Sequence, residues 1–179
     1  METMDVLIDT CTVNRLLDID EPADGDRNYE EDRSCLSRIT KEYVECGSVR
    51  LLVNPTVKSE IDKTPDAARR RELQEQFAQH LFTPFSAAVF PITFPVTFLT
   101  DEQKKALEDL FARLPVKYRK DRKIFADAMC NKEIAVLLTT DREHLANDTF
   151  RGLLRDKGLD SRVMVLTPRE LLEHLQKER

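Results

Sequence analysis

Four acidic residues occupy positions from which they could together hold a hard divalent cation. Asp9 directly follows the apolar run Val6-Leu7-Ile8, and Asp141 comes just after the run Ala135 to Leu138. If both runs are strands of a parallel sheet, both acids lie outside the carboxyl ends of strands, where open α/β sheets bind ligands. They would then be neighbours although 132 positions apart in the chain. Glu60 falls on a short helix expected after the run Val49–Val53. Asp121 falls at the start of another helix, where the positive end of the helix favours an anion. Four ionised carboxylates at one place repel, and without a cation at least one would hold its proton. Mg2+ or Mn2+ resolves the repulsion with oxygen ligands, waters and a substrate phosphate. Such a site directs water at a phosphodiester and stabilises the leaving oxygen. Each acid also has a plain structural reading, as a helix cap for Asp9, Asp121 and Asp141 and as a solvated helix residue for Glu60. Their joint placement is what singles them out.

The elements that must position these acids are legible as alternating strands and helices. Short apolar runs at 6–8, 49–53 (broken only by Arg50), 135–138 and 163–166 read as buried strands. Between them the spacing predicts helices: a short one over 12–17, and an amphipathic one from Glu31 through Cys46, closed by Gly47. Asn54-Pro55, Thr64-Pro65 and Thr167-Pro168 each place a capping side chain before a proline at the first helical position. The Thr64 helix is expected to run to about Phe82. Thr100 and Gln103 form a capping box for a helix that ends before Pro115. Further helices are expected near 120–132 and 142–157. Residues 18–32 read as an acidic loop, and residues 84–99, broken by Pro84, Pro91 and Pro95, as an extended segment that cannot be a central strand. The expected architecture is a single α/β domain over 1–179 with a mainly parallel central sheet flanked by helices. The acidic loop at 18–32 and a Pro-rich plus helical insertion at about 83–119 are its additions.

Composition narrows the chemistry. The chain has 179 residues, of which 28 are Lys or Arg and 33 are Asp or Glu, for a net charge of −5. Its four glycines, Gly25, Gly47, Gly152 and Gly158, are too scattered for a P-loop or a dinucleotide-binding turn. Cys11, Cys35, Cys46 and Cys130 form no Cys-x-x-Cys pair, and His80, His144 and His174 make no zinc-like spacing with them. The cysteines read as reduced thiols. With no signal peptide and no membrane span, a cytoplasmic setting is expected. Residues 18–32 carry eight acids and one base, so the rest of the chain is +2. A phosphate-bearing partner is therefore not excluded by the overall sign.

At these residues the chain resembles the PIN-domain family of nucleases, including its toxin-type members. VLIDTCTVNRLLD resembles the family's first strand and Asp-Thr turn, and VNPTVKSEIDKTPDAARR the segment with its second acid. DRKIFADA resembles the Asp-x-x-Ile-x-Ala-x-Ala pattern, and LLTTDREHL the last acidic motif. The four motifs occur in order over almost the whole chain. The resemblance implies a Mg2+- or Mn2+-dependent endoribonuclease with Asp9, Glu60, Asp121 and Asp141 as the acidic quartet. It implies Thr139 as a helper of the site, and Thr10, Thr12 and Asn14 as neighbours. Asp127 competes with Asp121 but lies off its helix face, and reads instead as a surface partner of Lys123 at i, i+4.

Around Asp121, residues 113–123 carry six basic side chains and Tyr118. Lys117, Arg119 and Lys120 are the candidates for substrate phosphates, with Tyr118 as a base-stacking ring. Arg69-Arg70-Arg71 reads as a solvated face. RNA is the expected partner. The apolar 84–99 segment offers a homodimer surface, and toxin-type members imply an antitoxin-like inhibitor. The reading of another class is a PIN-like RNA- or protein-binding scaffold without activity. A haloacid-dehalogenase-like phosphatase is disfavoured because Cys11 stands where a second Asp is needed. A response receiver lacks the paired acids before the first strand's Asp.

Overall fold

The apolar runs become the strands of one parallel sheet. The structure is a computed structural model that describes residues 3–17, 27–79, 83–84, 99–113 and 119–178. Strand β1 (Met4–Ile8) leads into α1 (Thr10–Leu17) and, further on, α2 (Arg27–Ile39). Strand β2 (Val49–Val53) is followed by α3 (Pro55–Asp62) and α4 (Ala67–Gln79), and β3 is the two-residue Thr83–Pro84. Helices α5 (Asp101–Arg113) and α6 (Arg119–Met129) precede β4 (Ile134–Leu138). Helix α7 (Asp148–Asp156), β5 (Met164–Leu166) and α8 (Pro168–Lys177) complete the order.

Among the described residues the sheet order is β3-β2-β1-β4-β5, with every pairing parallel. Four strands form its body, and β3 adds a short edge. Pro84 pairs with Val53 at that edge, where the missing N–H of a proline is tolerated. The chain adds β2 and β3 on one side of β1 and then β4 and β5 on the other. The order thus reverses between β1 and β4, and their carboxyl ends flank the switch point. Val6, Leu7 and Ile8 of β1 and Val136, Leu137 and Leu138 of β4 have no exposure at all, so both strands are covered on both faces. Phe125 of α6 packs edge-on against Phe111 of α5 at 6.4 Å and Phe150 of α7 at 5.5 Å, holding α6 to the core.

Several element ends differ from the expectation. Helix α2 begins at Arg27 rather than Glu31, so the last part of the expected 18–32 loop is helical, and Asp32 is buried within it. It continues as a π-helical stretch over 40–44, and Gly47 ends the run at φ +78°, a conformation cheap only without a Cβ. Asp66 rather than Thr64 caps α4, accepting from the Arg69 amide at 2.7 Å. Residues 142–145 form a turn instead of opening a helix, and α7 starts only at Asp148, capped by Asn147. The Asn54, Thr100–Gln103 and Thr167 caps are all present as expected. Residues 18–26, 80–82, 85–98 and 114–118, which include Phe82, Lys117, Tyr118 and most of the extended apolar segment, lie outside the described residues. No helix among the described residues is long and apolar enough to cross a membrane.

Candidate metal centre

Strand register brings the first two site residues together. Ile8 pairs with Leu138, so the next residue of each strand, Asp9 and Thr139, emerges side by side at the switch point. The Thr139 hydroxyl donates to Asp9 Oδ2 and accepts from the Asp141 amide at 3.0 Å. Asp9 Oδ1 accepts from the Thr12 amide at 2.7 Å, and its carbonyl from Val13 N at 3.0 Å. Asp9 therefore also caps α1, so the structural and the functional readings of this residue hold at once. Its exposure is 3%. Burial pushes its carboxyl up to about 6, with the charge of Asp141 adding and the bonds from Thr139 and Thr12 opposing.

Asp141 sits at the head of a tight turn. Its Oδ1 accepts from the amides of Glu143 and His144, each at 3.0 Å, and its carbonyl from Ala146 N at 2.8 Å. This folds His144 back over the carboxylate that precedes it by three residues. His144 Nδ1 lies 2.8 Å from Asp141 Oδ2 and 3.9 Å from Asp121 Oδ2. Asp121 is in the first turn of α6. One donor atom from each of Asp121, Asp141 and His144 lies within 4.8 Å of the others.

The other flank is built by α1, α3 and α4. The Thr10 hydroxyl donates to Glu60 Oε2. Asn14 Nδ2 donates to the Thr10 carbonyl at 3.0 Å, and Arg69 Nη2 donates to the Asn14 carbonyl at 3.2 Å and to its Oδ1 at 3.5 Å. Arg69 is thus not a purely solvated residue but ties α4 to α1 beside Glu60. Cys11 reports on the whole arrangement. Its thiol is pushed up to about 12 by partial burial and then by the charges of Asp9, Asp141, Asp121 and Glu60. All four acids act on one point of α1.

Comparison with known proteins adds no family. No protein-family model matches the chain, and no curated protein is significantly similar to it.

The donor set itself fits a small divalent ion. Two cis ligands on an octahedral ion with ~2.1 Å bonds stand about 3 Å apart, and two trans ligands about 4.2 Å. The 2.8 Å between Asp141 Oδ2 and His144 Nδ1, which are hydrogen-bonded to each other, is close to the first span. The 3.9 Å from His144 to Asp121 falls between the two. An Asp-Asp-His group at the switch point can therefore hold a metal ion. His144 was not singled out from the sequence, since its partners are carboxylates rather than cysteines. The readable signal was the Asp-x-x-His spacing, which a turn closes onto a single point.

Asp127 corrects the sequence reading. It is 2% exposed rather than on the surface, and Asn54 Nδ2 donates to its Oδ2 at 2.5 Å. Asn54 Oδ1 at the same time accepts from Val57 N at 2.9 Å, capping α3. Asp127 thus fastens α6 to the start of α3, the helix that carries Glu60. Arg119 and Lys120 fall in the first turn of α6, next to Asp121. Lys117 lies outside the described residues.

Proposed function

We propose that the protein is a divalent-metal-dependent endoribonuclease of PIN type, hydrolysing RNA phosphodiester bonds. The observation that carries the reading is the convergence of Asp121, Asp141 and His144 at the carboxyl ends of β1 and β4, with Asp9 and Glu60 close enough to act on the same Cys11 thiol. A cation bound there supplies an activated water and neutralises charge on the phosphate. Asp121, Asp141 and His144 would hold it. Asp9, buried behind them, keeps the pocket electronegative and, through Thr139, sets the backbone at Asp141. Glu60, held by Thr10, completes the acidic rim. The choice of RNA over other phosphodiesters rests on the four motifs that resemble PIN-domain nucleases, and on the basic residues 113–123 beside Asp121.

The test is cleavage of end-labelled single-stranded RNA by the purified chain with Mn2+ or Mg2+. Wild-type protein is expected to cut internally and to stop on adding a chelator. Asp9→Asn and Asp141→Asn are expected to abolish cutting while remaining folded. Full activity in both variants overturns the assignment. Metal binding without cleavage of any RNA supplied would favour an inactive RNA- or protein-binding scaffold.

A further inference from the structure

We infer that His144 is a nitrogen ligand of this cation site, and that it selects a first-row transition ion such as Mn2+ over Mg2+. The inference rests on the metal-dependent reading above and goes beyond the all-carboxylate site that the sequence implied. The geometry is specific. His144 Nδ1 is hydrogen-bonded to Asp141 Oδ2 at 2.8 Å and stands 3.9 Å from Asp121 Oδ2, so one ring nitrogen has two carboxylates within 4 Å.

The turn fixes the backbone from which the ring projects. The His144 amide is bonded to Asp141 Oδ1 at 3.0 Å, its carbonyl accepts from Asn147 Nδ2 at 2.9 Å, and the next residue, Leu145, is buried in the core. The consequence follows from ligand chemistry. Mg2+ is hard, prefers oxygen and gives up its waters reluctantly, so an imidazole gains it little. Imidazole is a borderline donor that favours the later divalent ions, whose affinity rises from Mn2+ onward. A site with two carboxylates and one imidazole should therefore separate Mn2+ from Mg2+, which a ring of carboxylates does poorly.

The experiment uses the full chain with Mn2+ and Mg2+ each titrated calorimetrically, and pulsed electron paramagnetic resonance on the Mn2+-loaded protein. Wild type is expected to bind Mn2+ at least about tenfold more tightly than Mg2+. Its Mn2+ spectrum is expected to show nitrogen modulation from a directly bound imidazole. In His144→Ala that modulation disappears and Mn2+ binding weakens about tenfold, while Mg2+ binding changes by less than about twofold. Circular dichroism checks that the variant is folded, and His144→Gln, which offers an oxygen in place of the nitrogen, is expected to lose the modulation and the selectivity as well. Mn2+ bound by wild type without nitrogen modulation, or with a ratio to Mg2+ that His144→Ala leaves unchanged, overturns the role of His144 and leaves the carboxylate site standing. Failure of both ions to bind at millimolar concentration overturns both the inference and the metal-dependent reading.

Discussion

The hydroxyl of Thr139 joins Asp9 to Asp141: it donates to the Asp9 carboxylate and accepts from the Asp141 amide, in a place with no solvent exposure. One side chain thereby fixes the relative position of two acids that arrive from different strands. Thr139→Val keeps the shape and removes both bonds. It is expected to cost about 1–3 kcal/mol in urea denaturation, because the buried carboxylate loses a donor and the amide loses its acceptor. RNA cleavage is expected to fall at least about tenfold, as for partners that orient ligands from behind. Thr139→Ser keeps the hydroxyl and should retain most of both. Equal behaviour of the Val and Ser variants would show that the bridge has no such role.

Asp9 makes stability depend on pH in a direction opposite to most carboxylates. Burial raises its carboxyl from 3.8 to about 6 in the folded chain. The folded state therefore holds a proton that the unfolded state has released between these values. The stability present below pH 3.8 is lost as pH rises through about 6, by about 3 kcal/mol at most for this one group. Asp9→Asn removes that loss. In metal-free protein it is expected to unfold at a higher temperature than wild type at pH 7, with the difference shrinking towards pH 4. Added Mn2+ should raise the wild-type midpoint at pH 7 and leave Asp9→Asn less affected.

The strands were legible because short, largely apolar runs bounded by polar residues have few other solutions, and Val6-Leu7-Ile8 and Val49–Val53, with only Arg50 exposed, lie on β1 and β2 as expected. The Asn54-Pro55 and Thr167-Pro168 caps were legible because local chemistry alone specifies them. The start of α2 was not. Asp32 and Arg33 look like solvated polar residues in sequence, yet both are buried, and the partner that neutralises Asp32, Arg142, lies 110 positions away. The start of α7 was misplaced for a related reason. Asp141 has the side chain of a helix cap, but it is spent on the amides of Glu143 and His144, and Asn147 caps the helix instead.

In the site, the placement of Asp9 and Asp141 followed from strand ends and topology, which sequence reveals. His144 and Asp127 depend on where a turn or a helix face points after packing. Helical phase correctly separated Asp127 from Asp121, but phase cannot say that a second carboxylate turns inward to meet Asn54.

That inward contact leads to a prediction about α3. Asn54→Ala removes the cap of α3 and the donor to the buried Asp127 carboxylate together. The expected loss is about 2–3 kcal/mol, read from the urea midpoint at pH 7. Asn54→Asp keeps the cap but sets a second carboxylate against Asp127. Its destabilisation should therefore be larger at pH 7 than at pH 4, where a proton shared between the two relieves the repulsion. A pH-independent loss for Asn54→Asp would show that Asp127 does not face residue 54.

Arg142 provides the sharpest test of how the metal-bearing turn is held. It directly follows Asp141 and donates to both oxygens of Asp32 on α2, at 2.6 and 2.8 Å, while Asp32 is 1% exposed. The turn carrying Asp141 and His144 is thus anchored to α2. Arg142→Ala leaves a buried carboxylate without this partner and is expected to cost about 3–5 kcal/mol. The double variant Asp32→Leu with Arg142→Met removes both charges at similar volume and should recover more than half of that loss, because the desolvation penalty goes with the pair. Mn2+ affinity separates anchoring from mere stability. The double variant, although folded, is expected to bind Mn2+ several-fold more weakly than wild type, since an apolar contact does not fix the turn with the directionality of two parallel hydrogen bonds. Recovery of stability with unchanged Mn2+ binding would mean that the Asp141–His144 turn holds its geometry without help from α2.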